Sequence, residues 1–201
     1  MRSDYLRPGR YARLFGAMQP DNVLAMRVAL ETGLRIDDVL SLRPSDLRGS
    51  TITCTARKTG KMCSKRVSAP LARDLRRNAS PEWIFPGRKK GRHRTRQTVW
   101  RDLTRARAKL GLPEHVSPHS ARKTYAVELR RADGLDRVQA ELQHDRVSTT
   151  MIYAFADLLQ NGENPVENEG KSVDFEAFAE QIAEKVTEKL FERLSQKWDA
   201  K

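Results

Sequence analysis

Residues 117–155 read SPHSARKTYAVELRRADGLDRVQAELQHDRVSTTMIYAF. This stretch contains the His-x-x-Arg pair His119 and Arg122, then His144, and then Tyr153 nine residues later. The three-residue spacing places His119 and Arg122 on one face of a predicted helix. A tyrosine close to two histidines and an arginine has groups suited to attack on a phosphodiester. Such an attack also needs further cations and a proton donor, which must come from the rest of the chain.

The charge of the chain is high and unevenly distributed. The net charge is +12 and the isoelectric point is about 10.1, which indicates a polyanionic partner, most simply nucleic acid. Residues 160–201 carry −4 of that total, so the first 159 residues carry +16. We therefore expect the polyanion to bind the first segment and the tail to have another role.

The chain has two cysteines, Cys54 and Cys63, which are too few for a disulfide framework. They flank a predicted hairpin turn and are expected to be close in space. Because no signal peptide is visible, we expect a reduced pair in a cytoplasmic protein. No apolar run approaches the ~20 residues that span a bilayer.

Apolar periodicity predicts a mainly helical α+β fold with one small antiparallel hairpin. Residues 50–69 alternate and are rich in Thr and Val, and Thr59-Gly60 supplies the turn between the two strands. The sequence predicts a polar linker over 160–172 and an amphipathic helix suited to oligomerisation over 173–201. Helices are predicted near 8–18, 22–32, 36–42, 71–78, 98–110, 118–133, 136–144 and 148–158.

Two basic residues upstream have the chemistry that the attack still requires. Arg35 precedes the first turn of a short helix, where amide N–H groups favour an anion and a guanidinium adds a bidentate phosphate contact. Lys58 lies at the end of the first hairpin strand, beside the tip, where it can reach a groove or donate a proton. Taken alone, each also fits an ordinary surface cation.

A run of basic residues between residues 88 and 96 suits contact with a phosphate backbone. Lys123, next to Arg122, is added to this predicted DNA-binding set. A loop that only solubilises the chain is the alternative. The predicted DNA-binding residues are Arg88, Lys89, Lys90, Arg92, Arg94, Arg96 and Lys123.

Together these motifs resemble the tyrosine recombinases, the phage-integrase family. TGLRIDDVLSLRPSDL resembles the first box of that family, PHSARKTYAVEL its His-x-x-Arg box, and LQHDRVSTTMIYAF its final box. The hairpin sequence ARKTGKMCSKR is similar to the family's lysine-bearing β2–β3 turn. The resemblance covers about residues 6–158. It implies the catalytic set Arg35, Lys58, His119, Arg122, His144 and Tyr153.

The resemblance implies a site-specific recombinase that joins Tyr153 covalently to the 3′ end of the cut DNA. Lys58 would protonate the departing 5′ oxygen. Because the phosphotyrosine conserves the energy of the broken bond, neither metal nor ATP is expected, and the sequence offers no acidic cluster for a two-metal site.

The remaining residues of the set are expected to act on the phosphate and the nucleophile. Arg35 and Arg122 would hold the non-bridging oxygens, His119 would take the tyrosine proton, and His144 would donate to the phosphate.

Domain organisation differs from the family's usual pattern. Family members usually carry a helical core-binding domain before the catalytic one, whereas this chain begins at the catalytic domain, residues 1–159. In size it resembles single-domain fimbrial inversion recombinases, and a truncated form fits equally well. The family acts as tetramers on two duplexes, so the tail is expected to dock on a neighbouring protomer. Packing on its own domain and covering the basic face are the alternatives.

Two other functions remain open at this point. A type IB topoisomerase shares the tyrosine chemistry, although those enzymes usually carry lysine where this chain has His119. A DNA-binding accessory protein without turnover is the second alternative. The target sequence and the choice among integration, excision, inversion and dimer resolution are not encoded in any motif.

Overall fold

The computed structural model describes residues 4–58, 60–113 and 115–129. His144 and Tyr153 lie outside these residues, as do the predicted helices beyond 129, the linker 160–172 and the helix 173–201.

The described part of the chain has the mainly helical α+β fold expected from the sequence. Its helices form where apolar residues recur at helical spacing, and glycine or proline ends or begins most of them. Residues 118–129 form α6, up to the end of the described part. The other elements are α1 (Pro8–Gly16), α2 (Pro20–Thr32), α3 (Ile36–Leu40), a 3₁₀ turn (Pro44–Asp46), β1 (Leu47–Arg48), β2 (Thr51–Thr55), β3 (Met62–Arg66), α4 (Ala69–Asn78) and α5 (Arg96–Lys109).

The sheet contains the predicted hairpin and one further strand. Its order is β1-β2-β3, and both neighbouring pairs are antiparallel. β1 was not predicted because two residues are too few to show an alternating pattern. Its pairing with β2, Leu47 opposite Ile52, is what defines it as a strand.

α2 is the central helix of the core. Seven of its residues are buried, and it packs against α3, α4, α5 and β3. Its nearly continuous apolar sequence predicted this burial, which the structure confirms. Leu14, Met26 and Leu103 are among the side chains excluded from solvent in a single cluster. Burial of a side chain of this size contributes roughly 1.5–3 kcal/mol.

Two tyrosines fasten α6 to the N-terminal part of the chain. The Tyr11 hydroxyl lies 3.1 Å from the Thr124 hydroxyl, and Thr124 Oγ1 donates to the Leu6 carbonyl at 2.9 Å. The Tyr5 hydroxyl donates to Glu128 at 3.3 Å. Burial raises the pKa of Tyr11, so its hydroxyl stays protonated. These contacts fix the helix that carries His119 and Arg122.

A buried carboxylate joins α5 to the beginning of α2. Asp102 is 8% exposed, and its Oδ2 accepts from the Gln19 amide and from Asn22 Nδ2, both at 2.7 Å. The exposed Arg105 donates to the other carboxylate oxygen.

We predict that Asp102→Ala lowers the free energy of unfolding by about 1–3 kcal/mol, because the buried Asn22 amide and the Gln19 N–H lose their acceptor. Arg105→Ala, which removes only the exposed partner, should cost about 0–1 kcal/mol. Urea denaturation of the two variants measures both values. Equal losses would mean that the exposed ion pair, rather than the buried contacts, stabilises this junction.

Candidate active site

Residues from three separate elements line one open cavity of about 460 Å³. Arg35 comes from the start of α3, Arg96 and Trp100 from α5, and the others from α6 and the segment before it. Three members of the predicted catalytic set therefore meet in one place. The polar and aromatic residues that line the cavity are Arg35, Asp37, Arg96, Trp100, His115, Ser117, His119 and Arg122. Asp37 is the one carboxylate among them and lies 3.8 Å from Arg96.

Arg35 owes its position to the tight junction between α2 and α3. Gly33 adopts the left-handed conformation with φ 67°, which ends α2 and turns the chain. Arg35 is the N-cap residue of α3, with φ −68° and ψ 143°, and it is half-buried. The predicted placement of Arg35 before the first turn of a new helix is therefore correct.

Arg122 is the most deeply buried cation of the cavity, at 4% exposure. Its Nη1 donates to the Gly33 carbonyl, 89 positions earlier in the chain. This bond joins α6 to the same junction that presents Arg35. Two guanidinium groups are thus held beside each other, which is suited to binding the oxygens of an anion.

His119 is exposed to solvent on one side of α6, while its ring lies close to protein atoms and positive charges of the cavity. Its pKa falls from the usual 6.5 to about 4, first because neighbouring atoms desolvate the ring and then because of Arg122, Lys123, Arg35 and Arg96. The imidazole is therefore neutral at pH 7 and able to accept a proton.

Lys58 does not line this cavity in the described structure. It is exposed in the turn between β2 and β3. The sequence placed Lys58 at the end of the first hairpin strand, whereas β2 ends three residues earlier, at Thr55. The turn is attached to α3: the buried Asp38 accepts from the Arg57 amide at 3.0 Å. One short helix thus positions both Arg35 and the backbone next to Lys58.

The predicted DNA-binding loop contributes to a second, larger cavity of about 990 Å³. Arg88, Lys89 and Arg92 line it and are exposed. Lys90 is also exposed, as is Arg96, which lines the first cavity instead. These five positions suit the predicted phosphate contacts, which remain a prediction.

Two residues of the predicted DNA-binding set are packed differently from the exposed five. Arg94 also lines the second cavity, but it donates to Asp21 and to Asn22 Oδ1, and its side chain is 18% exposed. Lys123 is buried at 8% exposure. Contact of either residue with DNA stays a prediction. Sequence charge alone did not distinguish these less accessible cations from the exposed ones.

Sequence reasoning missed four residues that line the two cavities. Trp100, 47% exposed, and His115 lie in the first cavity, whereas Arg43 and Arg57 lie in the second. The guanidinium of Arg43 stacks over the Trp83 ring, 5.0 Å from its centroid. Arg57 precedes Lys58 in the basic hairpin sequence, a signal that was available. The other three become recognisable only once the chain is folded.

Comparison with known proteins identifies the family. Residues 5–158 match the sequence model of the phage integrase family. The chain belongs to the phage integrase family. It is 31% identical over 148 residues to tyrosine recombinase XerC of Rhizobium meliloti, which covers 68% of this chain and 46% of that protein. Tyrosine recombinase XerD of Lacticaseibacillus casei is 31% identical over 137 residues, 61% of this chain and 46% of that protein. The chain spans about half the length of the curated relatives it matches.

Solved structures of integrases share the fold. The catalytic domain of bacteriophage HP1 integrase is matched over its whole length and 85% of this chain, with a TM-score of 0.57 and 24% identity. A lambda integrase (75–356) dimer bound to a COC′ core site matches 87% of this chain and 64% of that one, with a TM-score of 0.64 and 20% identity. The expected tyrosine-recombinase catalytic fold is confirmed.

Among the described residues, no helix is long and apolar enough to span a membrane. The same residues contain no group of three or more histidine, cysteine or acidic side chains arranged to hold a metal ion.

We predict that His119 titrates near pH 4 when the cavity is empty. Binding of a DNA duplex should raise its pKa, because a phosphodiester offsets the surrounding cations. Imidazole NMR titration of the full chain measures both values, and His119→Gln assigns the resonance. Arg96→Ala, which removes one cation, should raise the pKa modestly. A titration midpoint of His119 near 6.5 in the DNA-free protein would show that desolvation and the neighbouring cations do not lower its pKa.

The low pKa of folded His119 also makes the stability of the protein depend on pH. Between about pH 4 and 6.5 the unfolded chain binds more protons at His119 than the folded chain does. The contribution of this residue to stability therefore decreases as the pH falls through that window.

Proposed function

We propose that this chain is the catalytic part of a site-specific DNA recombinase that cleaves and rejoins strands through a 3′-phosphotyrosine intermediate. The observation that carries the proposal is the meeting of Arg35, His119 and Arg122 in one cavity. Membership of the phage integrase family, over residues 5–158, supports extending the site to His144 and Tyr153.

The phosphate-binding step rests on the two arginines. Arg122, buried and fixed by the Gly33 carbonyl, and Arg35, at the start of α3, would donate to the non-bridging oxygens of the scissile phosphate. Negative charge increases on these oxygens as the pentavalent transition state forms. Fixed donors in a partly desolvated cavity stabilise that charge without reorganising during the reaction.

The nucleophile is Tyr153 in this proposal. Neutral His119 accepts the phenol proton as the oxygen attacks phosphorus, and His144 donates to a phosphate oxygen. The bond to the 5′ oxygen then breaks, which leaves the DNA 3′ phosphate on the tyrosine. Attack by a 5′ hydroxyl from a second strand reverses the chemistry and completes the exchange.

Tyr153→Phe should abolish covalent attachment to DNA while leaving DNA binding within about twofold, since only the nucleophilic oxygen is removed. A suicide duplex with a nick beside the cleavage site traps the covalent complex, which a denaturing gel resolves. The matched control is Tyr125→Phe, which alters a half-buried tyrosine of α6 that does not line the cavity. Trapping by the Tyr153→Phe variant would refute the assignment.

Lys58 supplies the proton to the leaving 5′ oxygen in the proposed mechanism. The exposed turn carries it outside the cavity lining, so DNA contact must bring the lysine and the phosphate together. The attachment of the turn to Asp38 limits the distance over which it moves.

We predict that Lys58→Ala reduces strand cleavage by roughly 10²–10⁴-fold, the usual contribution of general acid catalysis. A substrate in which sulfur replaces the bridging 5′ oxygen should restore most of the rate, because a thiolate leaves without protonation. Lys61→Ala is the control for a general loss of positive charge on the same turn. Its ratio of cleavage rates on the sulfur and oxygen substrates should equal that of the unaltered chain. A Lys58→Ala variant that remains equally slow on the sulfur substrate would exclude the proton-donor role.

DNA and further copies of the chain are the proposed partners. The exposed cations Arg88, Lys89, Arg92 and Arg96 would contact the backbone, as their exposure permits. A tetramer on two duplexes is what the resemblance to tyrosine recombinases implies. The polar linker 160–172 followed by the amphipathic segment 173–201 suits exchange of that segment between protomers. Bacterial, phage or mobile-element origin and action in the cytoplasm belong to the same proposal.

Deleting residues 160–201 should reduce assembly on DNA if the tail docks on a neighbour. Light scattering of the full and shortened chains, each with and without a duplex, measures the change. The shortened chain should still bind DNA as a smaller complex. Unchanged assembly would exclude tail exchange, and tighter DNA binding after deletion would indicate that the acidic tail covers the basic face.

The two alternatives are weaker and can be separated experimentally. A histidine at position 119, where type IB topoisomerases usually carry lysine, favours a recombinase. Relaxation of supercoiled plasmid without exchange between two duplexes would favour the topoisomerase. Failure of the unaltered chain to form any covalent complex would favour an accessory DNA-binding protein.

A further inference from the structure

The only two cysteines of the chain face each other across the β2–β3 hairpin. Cys54 and Cys63 are directly paired in the antiparallel register. Their sulfurs are 3.2 Å apart, and both are free thiols. The expected proximity of the pair is therefore confirmed. The catalytic chemistry proposed above does not involve either sulfur.

The Cα spacing at this position falls within the range for a disulfide. The Ala56 amide donates to the Lys61 carbonyl, and the Val67 amide donates to the Ser50 carbonyl. Hydrogen-bonded pairs alternate along an antiparallel ladder, so Cys54 and Cys63 also occupy a hydrogen-bonded pair. Such pairs have Cα atoms about 5.5 Å apart, within the usual range for disulfides of roughly 4.4–6.8 Å. Their Cβ atoms are also about 5.5 Å apart, beyond the roughly 3.5–4.5 Å of a relaxed disulfide, so closure draws the two strands together and gives a strained bond that a dithiol reduces readily.

The surroundings favour one thiolate within the pair. The pKa of Cys63 is lowered to about 7, mainly because of its sulfur contact with Cys54, with a further contribution from the positive charge of Lys65. The same contact raises the pKa of Cys54, which retains the shared proton. In its protonated form the Cys63 thiol donates to the Cys54 carbonyl at 3.3 Å. A thiolate is the reactive form of cysteine, so Cys63 is the first nucleophile of the pair.

The limited solvent exposure of the two sulfurs restricts which oxidants can reach them. Cys63 is 7% exposed, whereas Cys54 is half-buried. A small neutral peroxide can approach a nearly covered sulfur more easily than a bulky disulfide can. Once Cys63 is oxidised, its immediate neighbour is Cys54, which favours ring closure over further oxidation.

We propose that Cys54 and Cys63 are a reversible oxidation site at which hydrogen peroxide closes an intrachain disulfide across the hairpin. The Cys63 thiolate attacks one peroxide oxygen, the O–O bond breaks, and the released hydroxide takes up a proton to become water. Cys54, losing its proton, then attacks the sulfenic sulfur and displaces a second water. The two sulfurs together lose two electrons, and the peroxide gains them. A dithiol reverses the reaction by two thiol–disulfide exchanges.

The bond would close the base of the turn that carries Lys58. Cys54 precedes the turn and Cys63 follows it, with Lys58 between them. This modification site rests on the hairpin geometry alone and is independent of the proposed recombination chemistry.

Mass spectrometry of the full chain tests the proposal directly, because every thiol of the protein belongs to this pair. After mild peroxide treatment and alkylation under denaturing conditions, we expect a monomer that has lost two hydrogens and carries no alkyl group. Treatment with dithiothreitol before alkylation should restore two alkylated cysteines.

Cys54→Ser and Cys63→Ser provide the matched controls. In Cys54→Ser, the remaining Cys63 has no resolving partner, so it should gain oxygen atoms under the same treatment. In Cys63→Ser, the remaining Cys54 should react more slowly, because the acidic sulfur has been removed. An unaltered chain that forms covalent dimers, gains oxygen, or keeps both thiols while Cys54→Ser is oxidised would overturn the proposal.

Discussion

The hydrogen bond from Arg122 to the Gly33 carbonyl is the contact on which the candidate site depends. A buried guanidinium is costly unless it is compensated, and the carbonyl end of a helix provides favourable dipoles. Gly33 completes the end of α2 with a positive φ, which also turns the chain toward Arg35. The junction between α2 and α3 therefore compensates the charge of Arg122 and also positions Arg35 in the lining of the same cavity. A side chain at position 33 would strain the backbone on which both arginines rely.

Buried carboxylates organise the elements around that junction. Asp102 binds the first residues of α2, and Asp38 binds the Arg57 amide of the hairpin turn. Both side chains accept from backbone N–H groups, so they fix the path of the chain as well as neutralising charge. Because Asp38 and Arg35 belong to the same short region, the turn that carries Lys58 is attached to the element that positions Arg35, the proposed phosphate-binding arginine. Lys58, the proposed proton donor, is exposed, yet the turn that carries it is held by the buried Asp38.

Local patterns predicted those parts of the structure that depend on local interactions. The apolar run of α2, the face of α5 with Val99 and Leu103, and the alternating hairpin were all recognisable in the sequence. β1 was missed because its existence depends on pairing with β2 rather than on its own two residues.

The site was predictable to the extent that the family's motifs specify it. Arg35, His119 and Arg122 were identified from motif order, although 89 positions separate Gly33 from Arg122 and no local pattern indicates their bond. Lys123 and Arg94 show what motif order and charge leave open, and their contact with DNA stays a prediction. Their charge suggested a surface role, whereas tertiary packing buried one and paired the other with Asp21. Whether a cation is exposed is a property of the fold, so composition could not decide it.

The electrostatics of the cavity also constrain how a proton acceptor works there. With its pKa near 4, His119 is a weak base in the empty cavity, although it is neutral and therefore available. A general base is most effective when its pKa lies near the working pH. Desolvation of the ring is the main cause of the low pKa of His119, and the neighbouring cations lower it further. A phosphodiester bound beside those cations would cancel the second contribution. The base would thus gain strength only when the phosphate is present. Such a site would couple activation of a nucleophile to occupation by DNA, without any movement of the imidazole.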